Sequence, residues 1–493
     1  MAGIIFLAVF LCVMTGIGIW GMKKTKTLGD FFLGGRSMGP WVSAAAYGTS
    51  YFSAVLFIGF AGTQGWQFGL SALWIALGNG IIGALGAWLV LGRRTRRMTQ
   101  NLDAMTMPEF LQERYEAKHL KPVAASVIFF FLLPYSASVF KGLGHLFEAV
   151  FHIPYDTALL IMIAFTGVYL ILGGYFAIAV TDFIQGIIMF FGAAAMIGVL
   201  SSRGGGLFEM LAKVRENYLL HIPEAGRPTA LTVLSLVFMT SFGTWGLPQM
   251  TQKFYAVKNE QVISKAALVT TIFALVIGFS AYLTGAFSHF FFTPESVPRS
   301  EGGAVFYDRI VPALLTSQLP EPLMALILLL VLSASMSTLS SLVLVSSSSV
   351  AIDLYPSRIS AKTGKDISVA MMRFLSAVFV IISYLISRFQ FSFIVTLMSL
   401  SWGAVSGAFA APYIYGLYGK NTTKAGAYAG LLSGLSLEII LFFALGPAKS
   451  PLAASFAIAV PFAAVPLVSR FSKAPSPMLL DKAFAGISIA IKP

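Results

Sequence analysis

The run at 332–355, LSASMSTLSSLVLVSSSSVAIDLY, is apolar and long enough to cross a bilayer, yet crowded with hydroxyl groups. A Ser or Thr in hydrocarbon needs a hydrogen-bond partner, and the carbonyl one turn earlier supplies it at little cost. The plain reading is therefore a helix whose small side chains permit close packing. The spacing allows a sharper reading. Ala334, Ser337 and Thr338 stand at i, i+3 and i+4, so one backbone carbonyl and two hydroxyls share a helical face. Hard monovalent cations take neutral oxygens of this kind and need no charged ligand to be held.

Asp182, Lys141 and Glu438 are ionisable residues within apolar stretches. Asp182 sits at or just inside the end of a span, where an unpaired carboxylate is costly and usually functional. It either serves a site or acts as a structural acid bonded to nearby backbone or a basic group. Lys141, in a span kinked by Pro134, either meets a carboxylate-bearing substrate or pairs with a protein acid such as Glu438, and the structural ion pair is the stronger of the two.

The elements that position these residues are membrane helices. With 57% hydrophobic and 11% charged residues over 493 positions, the chain must use lipid as part of its solvent. The net charge of +13 comes from short loops between apolar spans, which suits cytoplasmic loops better than nucleic acid. The lone Cys12 excludes a disulfide framework, and five scattered His residues give no metal site. No nucleophile elbow or phosphate loop is present, so an enzyme is not expected.

Apolar runs predict about thirteen spans, near 3–21, 39–61, 66–92, 122–150, 155–175, 177–200, 231–249, 265–290, 321–352, 367–387, 391–417, 425–445 and 451–469. The first lacks both a preceding basic residue and a following cleavage site, and is read as a retained helix rather than a signal peptide. Basic residues cluster in alternate loops: Lys23, Lys24, Lys26 and Arg36; Arg93, Arg94, Arg96, Arg97 and Arg114; Lys253, Lys258 and Lys265; Arg358, Lys362 and Lys365; Lys420 and Lys424. A multi-pass cell-membrane protein follows, with its N-terminus outside and its C-terminus cytoplasmic. Two long loops, 201–229 and 291–320, are expected on the outer face, each able to cover an entrance with short helices. In TMPEFLQERY, Thr106 is the expected N-cap of a surface helix, with Pro108 in its first turn and Glu109 three residues after the cap.

Two spans are poor helices in the same way. One carries Tyr47-Gly48-Thr49-Ser50-Tyr51-Phe52-Ser53, the other Phe242-Gly243-Thr244-Trp245-Gly246-Leu247-Pro248, and both mix aromatic-Gly-Thr with helix-weakening residues at membrane depth. Each opens a block of five spans, and the odd count inverts the second block relative to the first. The expected organisation is an N-terminal extra helix and inner linker (1–38), an inverted repeat (39–200), an outer loop (201–230), a second inverted repeat (231–417), and two peripheral helices with a tail (418–493). Inverted five-helix repeats with broken first helices are the physical recipe for alternating access.

Several separated motifs carry a resemblance. The run MSTLS at 336–340 with Asp353, Leu354 and Tyr355, DFFLGGRSMGP at 30–40, Gly173-Gly174 with Ala179-Val180-Thr181-Asp182 and Gln185, and Pro248-Gln249 with Lys253-Phe254 occur in one order. Together they resemble the sodium:solute symporter family, which includes sodium/proline, pantothenate and sodium/glucose transporters. The resemblance implies that the carbonyls of Thr49, Phe52 and Ala334 with the hydroxyls of Ser337 and Thr338 hold a coupling sodium ion. It also implies that Asp182, with Ser337, Thr338 and Ser341, holds a second sodium in some members.

The solute cavity is expected beside the sodium site, lined by Tyr51, Ser53, Thr240, Thr244, Trp245 and Trp402, with Lys141 a further candidate. The sequence departs from proline transporters at Tyr51, where they carry an Asp, and TSYFSAVLFIG is closer to pantothenate-type members. The resemblance implies an all-α sodium symporter for a small solute such as an amino acid, proline among them, or a carboxylate such as pantothenate or a monocarboxylate. Its partners are the solute, sodium ions and the bilayer, with no other cofactor. A sugar symporter, or a channel or sodium-responsive sensor on the same fold, are the alternatives.

Overall fold

Why these residues form helices is plain from their surroundings. In hydrocarbon every backbone N–H and C=O must be satisfied internally, and helices do this within one segment. The computed structural model describes residues 2–24, 28–172, 174–354, 367–390 and 392–487. Lys26, Gly173, Tyr355, Arg358, Lys362 and Lys365 lie outside the described residues. In chain order the helices are α1 (Ala2–Lys24), α2 (Leu28–Leu33), α3 (Pro40–Tyr51), α4 (Ala61–Phe68), α5 (Leu73–Gly78), α6 (Arg93–Asn101), α7 (Met107–Tyr115), α8 (Leu120–Phe151), α9 (Tyr155–Leu172), α10 (Tyr175–Arg203) and α11 (Leu207–His221). They continue with α12 (Ala230–Gly246), α13 (Pro248–Ala256), α14 (Gln261–Phe291), α15 (Tyr307–Gln318), α16 (Glu321–Ser348), α17 (Ile367–Arg388), α18 (Ile394–Tyr418), α19 (Lys424–Leu445), α20 (Ser450–Ala459), α21 (Pro461–Arg470) and α22 (Pro477–Ala483).

Ten helical stretches among the described residues are long and apolar enough to cross a membrane. Of the three other spans expected from the sequence, two fall on α1 and α9 and the third begins with α3, which a break cuts short. Large apolar side chains such as Phe130, Phe191 and Phe443 are exposed, as lipid-facing residues are in a protein without its bilayer. By contrast α16 and α18 are buried nearly all round, and α16 packs against α10, α8, α1, α17 and α3. The hydroxyl-rich helix is thus the centre of the bundle.

Both suspect helices are interrupted. α3 ends at Tyr51 and Phe52 turns extended (φ −117°, ψ 129°), before a wide π-helical stretch at Val55–Phe60 leads into α4. α12 ends at Gly246, Leu247 is extended (φ −79°, ψ 121°), and Pro248 begins α13 at a position where its missing N–H is no loss. The chain after α4 reverses at Gly69, whose positive φ of 54° suits glycine, and the ring of Tyr218 fills the place of a side chain. Nearby, Gly65 of α4 and Gly285 of α14 bring two backbones into direct contact, and a Cβ on Gly285 would collide with the carbonyl of Ala61.

The long connections hold helices, α11 in one and α15 in the other. Thr106 caps α7 as expected: its hydroxyl accepts from Glu109 N (3.1 Å), and the Glu109 carboxylate accepts from Met105 N (2.9 Å).

Candidate functional site

The break in α3 decides where the site lies. The last four carbonyls of a helix have no intrahelical donor, so Thr49 and Ser50, in the final turn of α3, offer acceptors that a continuous helix would consume. α16 meets them with hydroxyls. The Thr338 hydroxyl oxygen lies 3.3 Å from Ser50 O, 3.5 Å from Thr49 O, 3.5 Å from Phe52 O and 3.1 Å from Ala334 O. A hydroxyl has one proton to give, so four carbonyls converge on a single donor. Ser337 donates to the Thr49 hydroxyl at 2.6 Å, which donates in turn to Ala45 O at 2.8 Å. Thr49, Phe52, Ala334, Ser337 and Thr338 therefore come together, buried, in a cluster with more acceptors than protons. Such a cluster is chemically suited to a hard cation without formal ligand charge.

Ser335 was not singled out from the sequence. Its hydroxyl accepts from Ala54 N at 3.0 Å and so satisfies a donor freed by the break. Ser53 does similar work locally, accepting from Val55 N at 3.2 Å.

Beside this cluster lies a narrow cavity, about 20 Å³ and so little larger than a water molecule, lined by Tyr51, Phe52, Ser53, Asn79, Tyr135, Thr240, Tyr282, Met398 and Trp402 among others. Its walls are aromatic: Tyr51 stacks on Phe52 (4.5 Å between centroids) and on Trp402 (6.4 Å), and Tyr135 meets Trp402 edge-on (5.8 Å). Tyr51 donates to Thr240 O at 2.7 Å, and Thr240 donates to the Asn79 amide oxygen at 2.8 Å. Of the expected lining residues, Tyr51, Ser53, Thr240 and Trp402 are present. Thr244 and Trp245 do not line it; they donate instead to Ser241 O (2.8 Å) and Ile82 O (3.1 Å), fastening α12 to itself and its neighbour. Asn79, Tyr135 and Tyr282 went unremarked in the sequence, although an Asn within an apolar span is itself a signal.

Lys141 stands apart from the cavity. Its ammonium pairs with Asp308 at 2.9 Å and donates to Ser392 O at 2.7 Å, and Asp308 also accepts from Ile394 N at 3.3 Å. The expected alternative partner, Glu438, is elsewhere: its carboxylate packs against Gly403 of α18 with no hydrogen-bonding partner among the described residues. The pairing has a simple cause. Asp308 belongs to α15, a connection too polar to be read as membrane-embedded, but that helix dips far enough for the carboxylate to be fully buried.

Asp182, also fully buried, faces α13 and α16. Lys253 Nζ lies 3.8 Å from its Oδ2 and donates to the Ser341 hydroxyl at 2.9 Å, while Ser341 and Ser50 share a hydrogen bond of 2.9 Å.

Many membrane-crossing helices, two of them broken where hydroxyls and freed carbonyls gather, define an ion-coupled secondary transporter. The sodium:solute symporter family model matches residues 31–434, and the chain belongs to that family; it is a multi-pass, sodium-coupled solute symporter, and not an enzyme. The osmoregulated proline transporter OpuE of Bacillus subtilis (strain 168) is 30% identical over 463 residues, covering 91% of this chain and 90% of its own. The sodium/proline symporter of Staphylococcus aureus (strain JH9) is 30% identical over 454 residues, covering 88% and 85%. Among solved structures, a substrate-bound, outward-open Na+-coupled sialic acid symporter matches with a TM-score of 0.78 at 16% identity, over 97% of this chain and 98% of that one. Mhp1, a nucleobase-cation-symport-1 family transporter, matches with a TM-score of 0.53 at 12% identity, over 93% and 99%. At these identities the structural likeness concerns the fold alone.

Proposed function

We propose that this protein imports a small amino acid, proline first among them, across the cell membrane with sodium bound at Thr49, Phe52, Ala334, Ser337 and Thr338. The observation that carries the ion site is the convergence of four carbonyls on the single Thr338 hydroxyl. The solute enters between Tyr51, Tyr135 and Trp402, a space that has to widen to admit it, where the aromatic faces cover an apolar ring and Ser53, Asn79 and Thr240 meet polar groups. The relatives named for proline support that solute, and Tyr51 supports an uncharged contact in place of the carboxylate expected of proline transporters.

Alternating access follows from two inverted repeats, 39–200 and 231–417, within thirteen spans whose N-terminus is outside and C-terminus cytoplasmic. Sodium bridging α3 and α16 ties two moving bodies together, and its departure releases them. One charge crossing ~100 mV supplies about 2.3 kcal/mol, enough for about fiftyfold accumulation before the chemical gradient is added. Labelled proline uptake into proteoliposomes tests this, with an inward sodium gradient against an equal potassium gradient. Accumulation only with sodium is expected. Uptake indifferent to sodium would overturn the coupling, and sodium-driven uptake of pantothenate, a monocarboxylate or a sugar in place of proline would reassign the solute.

A further inference from the structure

A cation already stands at the second acidic position. Asp182 is fully buried on α10, and no hydrogen bond of ordinary length reaches either of its oxygens among the described residues. An isolated carboxylate in such a place is expensive unless a positive charge is near. That charge is the ammonium of Lys253, itself buried, 3.8 Å from Asp182 Oδ2, 2.9 Å from the Ser341 hydroxyl and 5.2 Å above the ring of Tyr175. A carboxylate, a hydroxyl and an aromatic face are what a cation seeks. Here the chain's own side chain has found them.

We infer that Lys253 is a tethered cation in the position of a second coupling ion, between Asp182 and Ser341, so that this symporter binds a single sodium ion. The inference rests on sodium coupling as proposed above and specifies its stoichiometry. A sodium ion entering beside Asp182 would sit about 4 Å from the ammonium, and repulsion at that distance lowers affinity by roughly a thousandfold at an effective dielectric near 20. The sodium cluster at Thr338 feels this less, because Lys253 donates to Ser341, one turn along α16 from Ser337, and the repulsion falls with distance.

The tether also has a mechanical role. Lys253 lies on α13, beyond the break at Leu247, whereas Asp182 and Ser341 lie on α10 and α16. A free ion would leave with each cycle; this one stays with α13 and returns with it.

Counting bound 22Na+ on the purified full-length protein tests the inference without knowledge of the solute. One saturable sodium per wild-type chain is expected, two in Lys253→Ala, and one again in Lys253→Ala/Asp182→Asn. Lys253→Arg, which keeps a cation in place, is expected to bind one. Two sodium ions on the wild type would overturn the inference whether or not the variants fold, and one on a folded Lys253→Ala would overturn it as well. None on the wild type with one on Lys253→Ala would refute sodium coupling at Thr338 yet uphold the tethered cation. None on either would overturn both.

Discussion

Two buried lysine–aspartate pairs occupy different parts of the bundle and are built to different standards. Lys141 and Asp308 touch at 2.9 Å, and each has further backbone bonds, to Ser392 O and from Ile394 N. Lys253 and Asp182 stand 3.8 Å apart, with the ammonium turned to a serine and the carboxylate without a hydrogen bond among the described residues. The first arrangement has the short contact and added backbone bonds that make a buried pair firm, although both of Asp308's bonds fall on Oδ2 and its Oδ1 has no hydrogen bond among the described residues. It staples α8, α15 and the start of α18. The second is looser, its partners held apart and the carboxylate unsatisfied.

The contrast can be broken most forcefully by removing one charge from each pair. Lys141→Met leaves Asp308 buried and uncompensated and is expected to cost about 3–5 kcal/mol, seen as earlier thermal unfolding in detergent at any sodium concentration. Lys141→Met/Asp308→Leu recovers much of that loss. Lys253→Met should respond differently, because sodium can enter beside Asp182 and stabilise the folded state by mass action. If added sodium rescued both variants alike, or neither, the two pairs would be equivalent and the contrast would fall.

A smaller effect is expected between the pairs. Thr338→Ala removes the hydroxyl on which four carbonyls converge, and loss of one ligand to a charged group is worth about 1.5–3 kcal/mol, or roughly a ten- to hundredfold rise in the sodium concentration for half-maximal uptake. Unchanged sodium dependence would move the ion elsewhere. The smallest effect is at Thr106, which caps α7 and donates to Asp353 at 2.8 Å. Thr106→Ala should lower stability by about 1 kcal/mol, read from the same melting curves, with sodium affinity untouched.

Local chemistry was legible in the sequence, and long-range partnership was not. The cap at Thr106 needed only Thr-x-x-Glu and a proline, and the break at Leu247 needed only a glycine on one side and Pro248 on the other. Spacing alone put Ala334, Ser337 and Thr338 on one face. That this face would meet Thr49 across nearly 300 positions came from family resemblance, not from periodicity. Asp308 could not be matched to Lys141, because nothing in a polar connection announces that its helix will dip inward. Lys253 was counted among loop charges that explain orientation, and only the fold shows it buried against Asp182. Thr244 and Trp245 were plausible cavity residues by depth, but the rotation of α12 turns them toward Ser241 and Ile82.

The contact between Gly65 and Gly285 leaves no side chain between α4 and α14, so no rotamer can absorb displacement there. The two helices meet backbone to backbone at this point. Just beyond it, Trp66 stacks on His289 at 4.4 Å, His289 bonds Trp66 O at 2.8 Å, and Asn217 of α11 donates to His289 O at 3.0 Å. Any displacement of α4 would therefore be passed through Trp66 and His289 toward α11 rather than taken up at the glycines.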